Sequence, residues 1–144
     1  METNDVVMSG IQLKKLIAKK SEPVMNEYDL RPVELDILTF LQKEKEVDTA
    51  KGIIEKKHLS KAHISKSIEN LRNGGFIRLI EDENDHRILH IHLTEKSDEV
   101  ISKMNRIYSE CKEIMQTGID SDELAVVKRV IVKMSENINR ELGE

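Results

Sequence analysis

The run Ser60-Lys61-Ala62-His63-Ile64-Ser65-Lys66 places two hydroxyls, a histidine and two lysines within two helical turns. Small polar and basic side chains at that spacing suit hydrogen bonding to base edges in a DNA major groove. Two other groups could in principle do chemistry. His90 and His92 stand two apart, on one strand face with Ile88, a spacing that lets two imidazoles reach one metal ion. No third ligand is fixed nearby by sequence, so they are read as exposed polar residues on an outer face, and no metal site is expected. Cys111, the only cysteine, lies at helical steps from Tyr108 and Ile114. Glu110, Lys112 and Glu113 beside it do not make the electropositive, accessible setting a reactive thiolate needs, so it is read as structural. There is no glycine-rich phosphate loop, nucleophile elbow or zinc-protease helix motif, and neither an enzyme nor a cofactor is expected.

Charge points the same way once it is resolved along the chain. The formal net charge is -4 over 144 residues. From Lys51 to Arg78, however, seven basic residues (Lys51, Lys56, Lys57, Lys61, Lys66, Arg72, Arg78) face only Glu55 and Glu69, a local +5 that leaves -9 for the remainder. A basic island in an acidic chain is an electrostatic footprint for a polyanion, although a solvated lysine-rich helix face would look similar on charge alone. Tyr28, Phe40, Phe76 and Tyr108 are the only aromatics, too few for the stacking platforms of single-strand binders. A lone cysteine fits a reducing compartment. Acidic residues near Met1 and the lack of any apolar run of about 20 residues predict neither signal peptide nor membrane span, hence a cytoplasmic protein.

The elements that must position these residues follow from periodicity and punctuation. Val6, Val7, Ile11, Leu13, Leu16 and Ile17 recur at helical steps, and Ser21-Glu22-Pro23 either interrupts that helix or bends it. Pro32 opens a second helix with Leu35, Ile37, Leu38 and Leu41 as its buried stripe, ending near Lys45. Asp48 or Thr49 caps a short third helix burying Ile53 and Ile54, and His58-Leu59-Ser60 forms a turn. Ser60 caps a fourth helix whose core positions are Ile64, Ile68 and Leu71, with Ala62, Lys66 and Glu69 opposite, and Asn73-Gly74-Gly75 stops it. The period then changes from helical to alternating. Phe76, Ile77, Leu79 and Ile80 make a strand, Glu81 to His86 a polar tip, and Ile88 to Leu93 the return, with Leu89, Ile91 and Leu93 on one face. Thr94 caps a long fifth helix carrying Val100, Ile101, Met104, Ile107, Tyr108 and Ile114. Asp120 with Glu123 has capping-box spacing, and Leu124, Val127, Ile131, Met134, Ile138 and Leu142 follow at steps of three or four.

Two short helices joined by a tight turn and followed by a hairpin make a winged helix-turn-helix, in which the second helix enters the major groove and the hairpin lies along the backbone. From Asp29 to Thr94 the chain resembles the MarR family of transcription regulators. Leu30-Arg31-Pro32 with Ile37-Leu38 resembles that family's second-helix opening, Leu59 to Leu71 its recognition helix, and Gly75-Phe76-Ile77 its step into the wing. The most specific match is Asp82 to Arg87 leading to Leu93-Thr94-Glu95-Lys96, similar to the family's Asp-x-Arg wing tip and its Leu-Thr approach to the next helix. Four departures stand out. Arg31 replaces a capping Thr or Ser, so Asp29 is the expected cap of the second helix; His58 takes a turn position that is often Gly; Leu79 and Ile80 replace an Arg; and the tip is acidic at Glu81, Asp82, Glu83 and Asp85.

The resemblance implies a mainly α fold with a small β-hairpin wing, in which residues 1–144 form a single unit. Its winged helix-turn-helix spans about 30–94, and dimerisation helices cover about 5–28 and 95–142. Independently, two long amphipathic helices appended to a small domain leave apolar stripes that a partner chain would cover. The implied function is DNA-binding transcription regulation. A ligand-responsive repressor would bind an inverted-repeat operator as a homodimer, with a small-molecule effector in a cleft lined by the first, second and fifth helices. The alternative is a winged-helix protein-interaction module without specific DNA binding. The implied DNA-binding residues are Ser60, Lys61, Ala62, His63, Ser65, Lys66, Asp85 and Arg87, with Arg87 resembling the residue that enters the flanking minor groove and Asp85 orienting it. Cys111 does not match the position of the reactive cysteine in the family's peroxide sensors.

Overall fold

The computed structural model describes residues 3–57 and 59–143, with side chains in the first helix from Met8 onward. The side chains of Val6 and Val7, and His58 in the turn, lie outside the described residues. The elements run α1 (Thr3–Tyr28), α2 (Pro32–Lys43), α3 (Ala50–Lys57), α4 (Lys61–Asn73), β1 (Ile77–Glu81), β2 (Leu89–Leu93), α5 (Glu95–Gln116) and α6 (Ser121–Leu142). They fall into two compact units, one ending at Ser109 and one beginning at Glu110.

In the first unit α1 passes unbroken through Pro23, and two residues earlier the Ser21 hydroxyl donates to the Ile17 carbonyl at 2.6 Å. The helix stops at Asp29, the one non-glycine residue with positive φ (53°) among the described residues. The Leu30 amide then returns to the Met25 carbonyl at 3.0 Å, which is Schellman closure with a buried Leu30 behind it. Asp29 therefore ends α1 and does not cap α2, contrary to the expectation from sequence. The α2 N-terminus is instead satisfied by Glu34, whose Oε2 accepts the Arg31 amide at 2.8 Å while Oε1 accepts from Asn70 Nδ2 at 2.9 Å. A buried carboxylate thus ties the start of α2 to α4. Because the left-handed region is costly for a residue with a Cβ and a negative charge at a helix C-terminus opposes the macrodipole, Asp29→Gly is expected to stabilise the protein by about 0.5–1 kcal/mol. That corresponds to a melting midpoint higher by roughly 2–4 °C. A thermal melt in which Asp29→Gly unfolds below wild type would contradict this cap.

The stripes read from sequence are the core. Leu35, Ile37, Leu38 and Leu41 of α2 pack with Ile53, with Ile64, Ile68 and Leu71 of α4, with Phe76, Ile77 and Ile91, and with Val100, Ile101 and Met104 of α5. Thr49 rather than Asp48 caps α3, its Oγ1 accepting the Gly52 amide at 3.1 Å. Past α4, Gly75 takes φ 77° and the Phe76 amide closes on the Leu71 carbonyl at 2.9 Å, which turns the chain into the hairpin. β1 and β2 pair antiparallel, Ile77 opposite Leu93 and Glu81 opposite Leu89, and Phe76 precedes the strand instead of opening it. The Ile91 amide donates to the Asp48 carbonyl at 2.6 Å, so the hairpin is also held against the segment before α3. Thr94 precedes α5 as expected, but its hydroxyl donates to the Gly75 carbonyl at 2.6 Å and does not cap the helix.

In the second unit Asp120 and Glu123 form the expected capping box: Asp120 Oδ1 accepts the amides of Asp122 and Glu123, and the Asp120 amide donates to Glu123 Oε2 at 3.0 Å. Cys111 is buried, in keeping with a structural thiol, whereas Ile114 is half exposed. No α6 residue is buried, and Val127, Ile131, Met134 and Ile138 stand in solvent along one face.

Candidate nucleic-acid interface

The α4 N-terminus is built by its cap: Ser60 is extended and its Oγ accepts the His63 amide at 3.3 Å. With Ile64, Ser67, Ile68 and Leu71 turned into the core, the positions between them face outward by helical geometry. Lys61, Ala62, His63, Ser65 and Lys66 are accordingly all exposed. Lys66 leans on Glu69 at 3.5 Å. Of the other basic residues, Lys51 sits 4.0 Å from Glu55 and Lys57 lies over the Phe40 ring.

The wing presents Arg87 with its side chain 91% exposed. Asp85 holds it in a fork, Oδ1 to Nε and Oδ2 to Nη2, both at 3.0 Å, with the Arg87 amide also on Oδ1. This contact keeps the Asp85 carboxyl below its ordinary range and raises the guanidinium further. Lys61, Ser65 and Arg87 come together around one groove of about 580 Å³, completed by Lys51 and Ile54 of α3 with Ile88 and Leu89 of the wing. Ala62, His63 and Lys66 lie on α4 outside that lining, and Ser60 acts as its cap. Sequence reading counted Lys51 in the basic island but did not place it, or the exposed Ile88 and Leu89, beside Lys61 and Arg87, because nothing in periodicity says that the start of α3 and the wing root share a groove.

Of the four acidic residues at the wing tip, Glu81, Asp82 and Asp85 each meet a side-chain partner. Glu81 Oε2 lies 3.0 Å from His86 Nδ1, and Asp85 is spent on Arg87. Asp82 accepts the amides of Asn84 and Asp85 on Oδ1, at 2.8 and 2.9 Å, and meets His90 Nε2 on Oδ2 at 2.9 Å. The other ring nitrogen of His90 contacts Asp48 Oδ2 at 2.8 Å. His90 is therefore not the exposed, uncommitted residue expected from sequence: its side chain is 29% exposed and bound at both nitrogens. Contact with His90, then with the two amides, holds Asp82 down at about 2, and Asp82 followed by Asp48 raises the imidazole above its ordinary value. His92 is exposed, as expected. Among the described residues, no group of three or more His, Cys, Asp or Glu side chains is arranged to hold a metal ion.

A second cavity, of about 460 Å³, opens within the first unit between α1, α2 and α5. Ile17, Met25, Leu35 and Met104 supply its apolar walls, and Lys14 and Tyr108 bring polar ends. The Tyr108 hydroxyl reaches Asp36 Oδ1 at 3.3 Å.

A capped recognition helix on an apolar base, a basic groove and a hairpin presenting a forked arginine define a winged helix-turn-helix regulator of the DNA-binding class. Residues 19–104 match the family described as transcriptional regulator SarA/Rot, and the chain belongs to that family. It is 24% identical over 125 residues to the HTH-type transcriptional regulator TcaR of Staphylococcus aureus, across 85% of this chain and 82% of that protein. A shorter stretch of 51 residues is 33% identical to the HTH-type transcriptional regulator BilQ of Clostridioides difficile, and spans only 35% of this chain and about a third of that protein, 34%. In fold the chain is similar to a MarR protein from Peptoclostridium difficile, with a TM-score of 0.81 at 21% identity, covering 98% and 91% of the two chains. The winged-helix fold of the MarR family is thus the one its wing signature resembles. No described helix is long and apolar enough to cross a membrane.

Proposed function

We propose that this regulator works as a cytoplasmic homodimer on an inverted-repeat operator, as a ligand-responsive repressor without catalytic activity. In this reading residues 1–144 act as one unit, in which about 30–94 read DNA while about 5–28 and 95–142 dimerise. The first turns of α4, from Ser60 to Lys66, face base edges in the major groove, and Arg87 of the wing, oriented by Asp85, takes the flanking minor groove. One observation supports this above the others: Lys61, Ser65 and Arg87 line a single basic groove although Arg87 lies more than twenty residues beyond Lys61 and Ser65 in the chain. The acidic tip, which favours an interaction module without DNA binding, carries less weight now that Glu81, Asp82 and Asp85 each meet a basic or imidazole partner.

The cavity of about 460 Å³ has the size and apolar character of a small-molecule site. An effector seated there would shift DNA binding only by favouring one spacing of the two recognition helices over another. Selection of bound fragments from genomic DNA tests the reading. The expected product is a set of imperfect inverted repeats with half-sites about one helical turn apart. Recovery of fragments sharing no such repeat, with heparin retention no stronger than for an acidic control protein, would leave the interaction module as the better account.

A further inference from the structure

We propose that His90, as an imidazolium, fastens the wing tip to the segment that opens α3, and that losing its proton loosens the wing and weakens its hold on DNA. The geometry requires the proton. Nδ1 meets Asp48 at 2.8 Å and Nε2 meets Asp82 at 2.9 Å. An ionised carboxylate only accepts hydrogen bonds, so both ring nitrogens must donate, and only the doubly protonated ring does so. A neutral ring keeps one of the two contacts and sets a lone pair against the other carboxylate.

The two carboxylates belong to different parts of the molecule. Asp48 stands just before α3, and its carbonyl also receives the Ile91 amide. Asp82 organises the tip, its other oxygen holding the amides of Asn84 and Asp85, and Asp85 in turn holds Arg87. One imidazole therefore links the helix-turn-helix to the turn from which Arg87 projects. The charged and titratable groups around it fit this role. Across the hairpin its partner is the uncharged Ile80, while Arg78 is opposite His92. At the tip His86 is turned to Glu81, and on α3 Lys51 leans toward Glu55. On the α2 side Lys45 lines a groove with Asp48 and His92.

The sign follows from the two groups. His90 titrates above its ordinary value in the folded chain. Its contribution is therefore complete below about pH 6.5 and is lost as pH rises through the folded midpoint. Asp82, held down at about 2, withdraws its contribution only as pH falls from its ordinary range toward that value. Between those limits the fastening is closed.

The effect on DNA rests on the wing reading above, whereas the fastening itself is measurable without DNA. In the free protein the His90 ring followed by NMR should titrate above about 6.5. Asp48→Asn, which keeps an acceptor and removes one charge, should lower that midpoint. Protection factors of the wing amides from Glu83 to Ile88 should drop several-fold above the midpoint in wild type and stay low throughout in His90→Gln. Operator affinity should fall several-fold over the same range in wild type, and His90→Gln should match the high-pH wild type with a flatter profile. A ring that titrates at or below 6.5, or wing protection equal in wild type and His90→Gln, overturns the fastening. If titration and protection behave as expected but Arg87→Ala binds operator like wild type, the fastening stands and the wing's contact with DNA falls.

Discussion

On the proposed homodimer, Ile131→Glu is expected to sediment as a monomer at concentrations where wild type sediments as a dimer, and to lose operator affinity with it. Val127, Ile131, Met134 and Ile138 follow at steps of four, three and four on α6, one face of the helix, and Ile131 and Ile138 are 56% and 59% exposed in the single chain. The chain itself leaves this face uncovered, since no α6 residue is buried. In a two-fold dimer each substitution counts twice. Forfeiting about 2 kcal/mol of burial per isoleucine removes roughly 4 kcal/mol, or about 10³-fold in the dimer Kd, before the cost of enclosing two carboxylates is added. Arg129→Glu, about half a turn away on the opposite face, introduces the same acid as a control and should stay dimeric. Sedimentation velocity with far-UV circular dichroism separates dissociation from unfolding. A helical Ile131→Glu protein running as a wild-type-like dimer would place the interface elsewhere.

What the sequence discloses here is whatever repeats or is settled within a few residues. The stripes of α2 and α4 were readable because burial of one helix face imposes its period on the chain, and the Asp120–Glu123 box because both partners of a cap lie within one turn. Asp85 and Arg87, two residues apart, are paired as the resemblance implied. The errors share a different cause. Asp29 looks like a cap for α2 until the end of α1 claims it as a left-handed terminator, and Thr94 looks like a cap for α5 until Gly75, nineteen residues earlier, takes its hydroxyl. The His90 contact with Asp48 spans 42 residues and has no periodic trace. Pro23 could not be placed from sequence as a break or a bend, and α1 runs through it. Asp29, Thr94 and His90 were each decided by tertiary contact or by competition between neighbouring elements.

Substitutions in α4 and in the wing should weaken DNA binding in two distinguishable ways. Lys61 and His63 are exposed on the first turn of a helix whose other face is locked by Ile64, Ile68 and Leu71, so a change there leaves the helix in place and alters only the surface it presents to the proposed major-groove contact. Replacing either by Ala should cost on the order of 1–3 kcal/mol on the preferred operator and flatten the preference at one half-site position. Arg87 projects from the tip in a fork with Asp85, at 3.0 Å on two atoms, and a guanidinium in that fork still has donors left for backbone oxygens. Its loss should lower affinity for matched and scrambled sequences alike, and reduce the slope of log K against log salt by about one per protomer, two for the dimer. Asp85→Asn should fall between these outcomes, since it frees Arg87 without removing the charge: affinity drops while the salt slope is nearly kept. Titrating each variant against matched and scrambled operators at several salt concentrations reads all three effects together. An Arg87→Ala protein with unchanged affinity and slope, beside Lys61→Ala and His63→Ala proteins with unchanged base preference, would exclude both elements from the DNA contact and leave the basic groove to another partner.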